Sequence, residues 1–192
     1  MSKLKETPSQ TAGPFVHIGT LPALAGLETQ RGPLNVLAGA DTMGQRIRIE
    51  GQIRDGAGEL VKDAIVEIWQ ADANGQYGGN AFQGWGRAAT DFESGLYVFD
   101  TIKPGPTPFH DGRLQAPHAS LLVFARGINI HLQTRIYFPD EAPANAADPV
   151  LQLVGDPDRV ATLVARKERD APPTYRFDLR LQGERETVFF DF

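Results

Sequence analysis

Residues 45–54, QRIRIEGQIR, alternate between apolar or small side chains and polar ones, and this alternation decides the fold class. The apolar parity holds Ile47, Ile49, Gly51 and Ile53, whereas the other parity is entirely polar. A period of two residues is that of a β-strand with one buried and one solvated face. The stretch therefore predicts a half-buried strand.

Further runs on the C-terminal side of this strand carry similar strand signals. Residues 64–70, AIVEIWQ, are apolar at both parities apart from Glu67, which predicts a central, mostly buried strand. Other strands are expected at 86–90, 96–101, 119–126, 131–138 and 175–182. The turns Glu93-Ser94-Gly95 and Gly127-Ile128-Asn129 predict two hairpins. We therefore predict an all-β fold, a β-sandwich of mostly antiparallel strands.

The two ends of the chain depart from this pattern. Residues 1–40 have no clean period and several prolines, so we expect an extended N-terminal arm ahead of a sandwich at 41–192. Asp148 and Asp156 each precede a proline, as a helix N-cap often does, which predicts one or two short helices near 148–165. The pattern leaves open whether the arm packs on its own sandwich or reaches a partner chain.

Composition excludes several classes of function. The 19 Lys and Arg residues against 24 Asp and Glu give a net charge of −5 without a basic cluster, which argues against nucleic acid or an anionic membrane as partner. The absence of cysteine excludes disulfides, thiolate metal sites and cysteine nucleophiles. Residues 1–10 lack the apolar core of a signal peptide, and no apolar stretch approaches the roughly 20 residues of a membrane span, so we expect a cytoplasmic protein.

The histidines do not form a paired metal site. None of the four lies within two residues of another, so no two share one strand face as neighbouring ligands. His118 begins a strongly apolar strand, but Ser120 stands where a second ligand on that face would be. A lone histidine of this kind is more often structural than a ligand.

Two further side chains are open to two interpretations each. Tyr77 follows a glycine turn and either offers a phenolate oxygen to a hard cation or is simply a loop aromatic. Arg126 ends the apolar run LLVFA before a tight turn. Its guanidinium either extends to water or holds a carboxylate in a pocket.

Five long segments resemble the intradiol ring-cleaving dioxygenases, in order over residues 7–192. They are TPSQTAGPFVHIG (7–19), GQIRDGAGELVKDAIVEIWQADANGQY (51–77), GWGRAATDFESGLYVFDTIKPG (84–105), APHASLLVFARGINIHLQTRIYF (116–138) and YRFDLRLQGERETVFFDF (175–192). The resemblance is to the α chains of heteromeric members. It implies a β-sandwich with an N-terminal arm, and a partner β chain that holds a non-haem Fe(III) with two tyrosines and two histidines.

The departures from the family pattern concern the iron ligands. By motif position, Tyr77 and His118 match the first tyrosine and the first histidine, whereas Thr107 and Ser120 replace the second of each. Gln115 stands where catalytic chains carry an arginine. The resemblance therefore implies a vestigial site without metal in this chain and Fe(III) held by the partner β chain.

The resemblance also implies what such a chain contributes. In the family the active site lies at the α–β junction, and the α chain lends its arm and one arginine to the β-chain pocket. In this sequence these are Thr11, Gly13, Pro14 and Arg126. The implied reaction is O₂-dependent intradiol cleavage of 3,4-dihydroxybenzoate to 3-carboxy-cis,cis-muconate. A planar guanidinium fork suits the substrate carboxylate.

Two other functions remain open from the sequence. The chain could be a self-sufficient dioxygenase with an altered ligand set that recruits Tyr97 or His110. It could instead be a non-enzymatic sandwich that binds aromatic acids or only assembles with other chains. Metal analysis of the isolated chain distinguishes the first alternative from an iron-free α chain. A test for stimulation of a β chain distinguishes the second.

Overall fold

The computed structural model describes residues 11–13, 15–27 and 32–191, and most of its regular structure is strand. The strands are β1 (Arg46–Arg54), β2 (Ile65–Gln70), β3 (Trp85–Ala89), β4 (Leu96–Ile102), β5 (Thr107–Pro108), β6 (Leu114–Gln115), β7 (His118–Phe124), β8 (Leu132–Tyr137), β9 (Arg166–Asp170), β10 (Pro173–Arg176) and β11 (Leu179–Arg180). The helices are α1 (Phe15–Thr20), α2 (Ala142–Ala147), α3 (Pro149–Val154) and α4 (Pro157–Ala161), with 3₁₀ turns at Pro22–Ala25 and Pro139–Glu141.

Two main sheets form the sandwich. In the first, β1 pairs antiparallel with β4 and parallel with both β10 and β11, and β9 extends the sheet from β10. The second has the order β3-β2-β7-β8 and is antiparallel throughout. A small ribbon joins β5 to β6. The predicted sandwich of mostly antiparallel strands is confirmed.

The alternation in β1 produces the core between the sheets. Ile47, Ile49 and Ile53 are at most 3% exposed and share one cluster with Ile68 and Leu121 of the second sheet. Burying each such side chain stabilises the fold by about 1.5–3 kcal/mol. The predicted buried strand at 64–70 is confirmed as β2, which lies between β3 and β7.

Gly51 continues this buried face at a point where two backbones approach closely. A Cβ on Gly51 would lie 1.9 Å from the carbonyl oxygen of Phe177, a distance at which no side chain fits. The absence of a side chain therefore permits the close pairing of β1 with the segment that joins β10 and β11.

One predicted hairpin is confirmed and the other is wrong. β7 and β8 pair antiparallel across the turn that contains Gly127, as expected. β3 pairs with β2 and β4 pairs with β1, so the turn at Glu93-Ser94-Gly95 passes from one sheet to the other. The Asp91 carboxylate accepts hydrogen bonds from the backbone N–H groups of Glu93 (3.1 Å) and Ser94 (2.7 Å). The turn was therefore correctly located, but a turn does not determine which strands pair.

The predicted helix caps are confirmed. The Asp148 carboxylate accepts from the backbone N–H groups of Val150 (2.8 Å) and Leu151 (2.9 Å) at the start of α3. Asp156 accepts from the N–H of Asp158 (2.9 Å) at the start of α4. α2 precedes the predicted window. Of the helices in the described ranges, none has the length and apolar character needed to cross a membrane.

The described part of residues 1–40 is less extended than expected. It contains α1 and the 3₁₀ turn at Pro22–Ala25. Farther along, the Leu34 carbonyl accepts from the N–H of Arg87 (2.9 Å), and the N–H of Leu37 donates to the carbonyl of Asp100 (2.8 Å). This part of the segment therefore contacts both main sheets, through β3 and β4. The division of the chain at residue 41 remains a prediction.

Candidate functional site

The arm meets the sandwich beside the turn that carries Arg126. The Thr11 hydroxyl accepts a hydrogen bond from the N–H of Gly127 (2.9 Å) and donates to the carbonyl of Ala125 (3.4 Å). Thr11 also forms an isolated antiparallel bridge with Asn129. Two of the residues that the resemblance assigns to a partner's pocket, Thr11 and Arg126, therefore belong to one surface.

Arg126 is an exposed residue two positions beyond β7. Its side chain is 77% exposed, and its Nε forms an ion pair with Asp63. In the described ranges, no other ion pair or side-chain hydrogen bond involves Arg126. The guanidinium therefore reaches solvent, as the first interpretation has it, and its ion pair is with a carboxylate of its own chain; whether it holds a carboxylate in a pocket stays a prediction.

The next arm residues leave space beside this surface. Gly13 is half-buried, its carbonyl accepts from the N–H of Val16 (3.0 Å), and a Cβ on it would meet no heavy atom within 4 Å. Pro14, also assigned to the partner's pocket, lies outside the described residues. The roles of Thr11, Gly13, Pro14 and Arg126 toward a substrate remain predictions.

The vestigial positions lie together elsewhere, where the loop after β2 and the β5–β6 ribbon meet the start of β7 and the end of β8. The Tyr77 hydroxyl faces the Thr107 side chain. Gln115 Nε2 donates to Thr107 Oγ1 (3.2 Å) and to the carbonyl of Pro108 (3.1 Å). The Tyr77 ring stacks on Trp69 with centroids 5.8 Å apart and planes 12° from parallel. The hydroxyl of Thr107, at the position that the resemblance assigns to the second tyrosine, is thus held by the Gln115 amide.

Arg135 belongs to this cluster, although the sequence analysis did not single it out. Its Nη1 donates to Gln115 Oε1 (2.8 Å) and to the Tyr137 hydroxyl (3.5 Å). In the register of β7 and β8 it lies opposite Ser120. Burial raises the pKa of Tyr77, and the Arg135 cation opposes that shift. A fixed positive charge therefore lies among the positions that the resemblance assigns to metal ligands.

His118 is a buried, neutral histidine. Its Nδ1 lies 2.8 Å from the carbonyl of Ala116, which only accepts, so Nδ1 carries the proton. Burial and, after it, the nearby Arg135 cation together lower the pKa of His118 to about 4. The ring also lies 5.6 Å from that of Tyr137. The structure therefore supports the structural interpretation of this histidine.

Asp148 holds the start of β7 in place. Besides capping α3, its carboxylate accepts from the N–H of Ala116 (2.8 Å) and from the Tyr137 hydroxyl (3.3 Å). The side chain is fully buried, so these four donors compensate the cost of removing the carboxylate from water. This arrangement fixes His118 and Tyr137 relative to each other.

The residues of the vestigial cluster do not fit a ferric ion. Fe(III) requires several anionic oxygen ligands, whereas this cluster offers the single phenol of Tyr77 and the neutral hydroxyls of Thr107 and Ser120. The guanidinium of Arg135 would repel a trivalent cation. Across the described residues, no group of three or more His, Asp or Glu side chains is placed to hold a metal ion.

The two residues considered as replacement ligands lie in other surroundings. The Tyr97 hydroxyl donates to the carbonyl of Phe177 (2.5 Å) inside the main core, and burial raises the pKa of Tyr97 well above its usual range. His110 is exposed and packs against Phe109, with ring centroids 4.1 Å apart. The Tyr97 hydroxyl is thus engaged inside the core, and among the described residues His110 belongs to no group of three or more His, Asp or Glu side chains placed to hold a metal.

Comparison with known proteins gives consistent matches over nearly the whole chain. A sequence model of the family described as Dioxygenase matches residues 22–183. The protocatechuate 3,4-dioxygenase alpha chain of Pseudomonas putida is 52% identical over 98% of both chains, and that of Burkholderia cepacia is 40% identical over 100% of both. The protocatechuate 3,4-dioxygenase beta chain of Burkholderia cepacia is 33% identical over 80% of this chain and 71% of its own length.

Proposed function

The chain belongs to the dioxygenase family that includes these α and β chains, and from that premise we propose that it is the iron-free α subunit of a protocatechuate 3,4-dioxygenase. In this proposal the β subunit holds Fe(III), and the two chains together cleave 3,4-dihydroxybenzoate with O₂ to 3-carboxy-cis,cis-muconate in the cytoplasm. The observation that carries the proposal is the vestigial cluster, whose neutral hydroxyls and fixed Arg135 cation do not fit iron.

The surface around Arg126 supports a role in a pocket that another chain completes. The guanidinium is exposed, and its one described partner is the Asp63 carboxylate. A guanidinium that already binds one carboxylate is suited to exchange it for the carboxylate of a dihydroxybenzoate. The hydrogen bonds of Thr11 to Gly127 and Ala125 anchor the arm at this place. We therefore assign substrate orientation to Arg126 and to the arm residues Thr11, Gly13 and Pro14.

The first helix of the arm supports a subunit contact. None of its residues is buried, and two of its large apolar side chains, Phe15 and Ile18, are 80% and 46% exposed. Leu24 and Leu27, just beyond, are 57% and 54% exposed. A run of exposed apolar side chains on a water-soluble chain is typical of a protein interface. We propose that these four residues, the apolar arm face, pack against the β subunit.

The cation of Arg135 gives the vestigial cluster a role in folding. It supplies the positive charge that a metal would bring, and it donates to Gln115 and Tyr137 across β6 and β8. Through these bonds the ribbon of β5 and β6 stays attached to the second sheet without metal. The cluster is in this proposal a structural element of the α subunit.

Titration of a purified β subunit with this chain tests the proposal. We expect oxygen uptake with 3,4-dihydroxybenzoate to rise and to saturate at one equivalent of the chain, while the chain alone consumes no oxygen. Phe15→Ser should shift saturation to a higher concentration, because it removes an apolar contact worth about 1.5–3 kcal/mol when buried. Leu153→Ser is the matched control, because Leu153 is 77% exposed on α3, outside the arm.

Two results would each refute this assignment. Oxygen uptake by the isolated chain with stoichiometric iron would favour a self-sufficient dioxygenase. A normally folded chain that stimulates no β subunit would favour a non-enzymatic sandwich.

A further inference from the structure

One cleft of the structure is lined mainly by basic residues, although the chain as a whole has a net charge of −5. The cleft lies where α4 and the following residues meet β9, β10 and β11, and its volume is about 300 Å³. Five arginines line it, namely Arg54, Arg166, Arg176, Arg180 and Arg185. Among the described lining residues one carboxylate, that of Asp178, opposes them.

The strand register places four of these arginines in like-charged pairs. Arg54 lies opposite Arg180 in the parallel pairing of β1 and β11. Arg166 lies opposite Arg176 in the antiparallel pairing of β9 and β10. Like charges directly opposite each other destabilise a sheet, because the two side chains repel each other. Two such pairs around one cavity call for negative charge between them.

Asp178 supplies that charge for one pair. Arg176 Nε donates to Asp178 Oδ1 (2.6 Å), and Arg166 Nη2 donates to Asp178 Oδ2 (3.3 Å). The Arg176 side chain is 16% exposed, whereas those of Asp178 and Arg166 are 38% and 72% exposed, so this bridge is partly open to water. The cleft therefore already holds one carboxylate between two paired guanidinium groups.

The other pair has no such partner in the described ranges. Arg54 donates to two neutral acceptors, the carbonyl of Gly58 (2.8 Å) and Gln52 Oε1 (3.2 Å). No ion pair or side-chain hydrogen bond within the described residues involves the side chains of Arg180 and Arg185. Three cations around one cavity are thus left without a described counter-charge.

We propose that this cleft binds a small polycarboxylate, with one carboxylate between Arg54 and Arg180 and another on Arg185. The guanidinium fork matches the two oxygens of a carboxylate, and the bridge formed by Asp178 is the same arrangement built from the chain itself. The volume of about 300 Å³ suits a molecule the size of citrate. The proposal does not depend on the proposed function, although the tricarboxylate product of that reaction belongs to the same chemical class.

Calorimetric titration of the full chain with citrate at low ionic strength tests this site. We expect saturable binding with one citrate per chain that weakens as salt is added, because the guanidinium groups are partly screened. Arg180→Gln and Arg185→Gln should each weaken binding about fivefold to tenfold, since each removes a charged hydrogen bond in a partly open cleft. Arg169→Gln is the matched control and should change affinity less than about twofold, because Arg169 is an exposed β9 residue outside the cleft lining.

A second measurement guards against a folding defect. Without citrate, Arg180→Gln should raise the thermal midpoint, because the substitution relieves the repulsion between Arg180 and Arg54. Addition of citrate should then raise the thermal midpoint of this variant less than that of the parent chain. Absence of saturable citrate binding would overturn the proposal, as would equal weakening by Arg169→Gln. Phosphate that binds as tightly as citrate at matched ionic strength would overturn the assignment to carboxylates.

Discussion

Replacing Arg126 with glutamine separates a role in substrate binding from a role in folding. In the isolated chain the guanidinium is 77% exposed and pairs with Asp63, and such an exposed pair contributes at most about 1 kcal/mol to stability. At a closed subunit junction, a charged hydrogen bond to the substrate carboxylate is worth about 1.5–3 kcal/mol. Arg126→Gln should therefore lower kcat/KM of the complex about tenfold to hundredfold, since each 1.36 kcal/mol is tenfold.

The assay is steady-state oxygen uptake by the reconstituted complex with 3,4-dihydroxybenzoate, alongside denaturant unfolding of the isolated chain. Asp63→Asn is the informative companion, because it frees the guanidinium from its internal partner and should leave kcat/KM unchanged or slightly raised. Unchanged kinetics in Arg126→Gln at normal subunit association would refute the reasoning. So would an equal loss of activity in Asp63→Asn, because that would place the effect in the internal ion pair.

Two further predictions concern the fold itself. Gly51→Ala should lower the free energy of unfolding by more than about 3 kcal/mol or prevent folding, because its Cβ would lie 1.9 Å from the Phe177 carbonyl oxygen. Gly19→Ala is the control: its Cβ would meet no atom within 4 Å, so the free energy of unfolding in urea should change by less than about 1 kcal/mol. Equal effects of the two substitutions would contradict the argument from close backbone approach. The folded-state pKa of His118 is lowered to about 4, so the unfolded chain binds its proton first as pH falls. The contribution of His118 to the free energy of unfolding should therefore be fully present above about pH 6.5 and be lost by about 3 kcal/mol as the pH falls toward 4. His118→Gln should remove this dependence on pH, and Arg135→Gln should reduce it. An unchanged slope in His118→Gln would assign the acid sensitivity to other groups.

Local sequence patterns predicted the strands but not all of their partners. The alternation around Ile49 and the turn at Gly127 gave β1 and the β7–β8 hairpin, because period and turn chemistry are local properties. The turn at Gly95 predicted a hairpin that does not form, because the strands that flank it belong to different sheets. Which strands pair depends on packing throughout the core, and a local sequence pattern carries no information on that packing.

The same distinction applies to the sites. Tyr77 and His118 could be chosen by residue type and position, and the structure brings them into one cluster. Arg135 could not, because its role follows from lying opposite Ser120 and within reach of Gln115. The available signal was a charged residue inside the predicted strand at 131–138, and this signal becomes informative only once the register is known.

The location of iron within the purified complex decides whether this chain works through its partner. The complex would be separated into its two chains under conditions that retain bound metal, and iron would be measured in each by mass spectrometry together with visible absorption. The account predicts that the iron and the tyrosinate-to-iron colour stay with the β chain and that this chain carries no stoichiometric metal. Stoichiometric iron on this chain, bound at Tyr77 and His118, would contradict it.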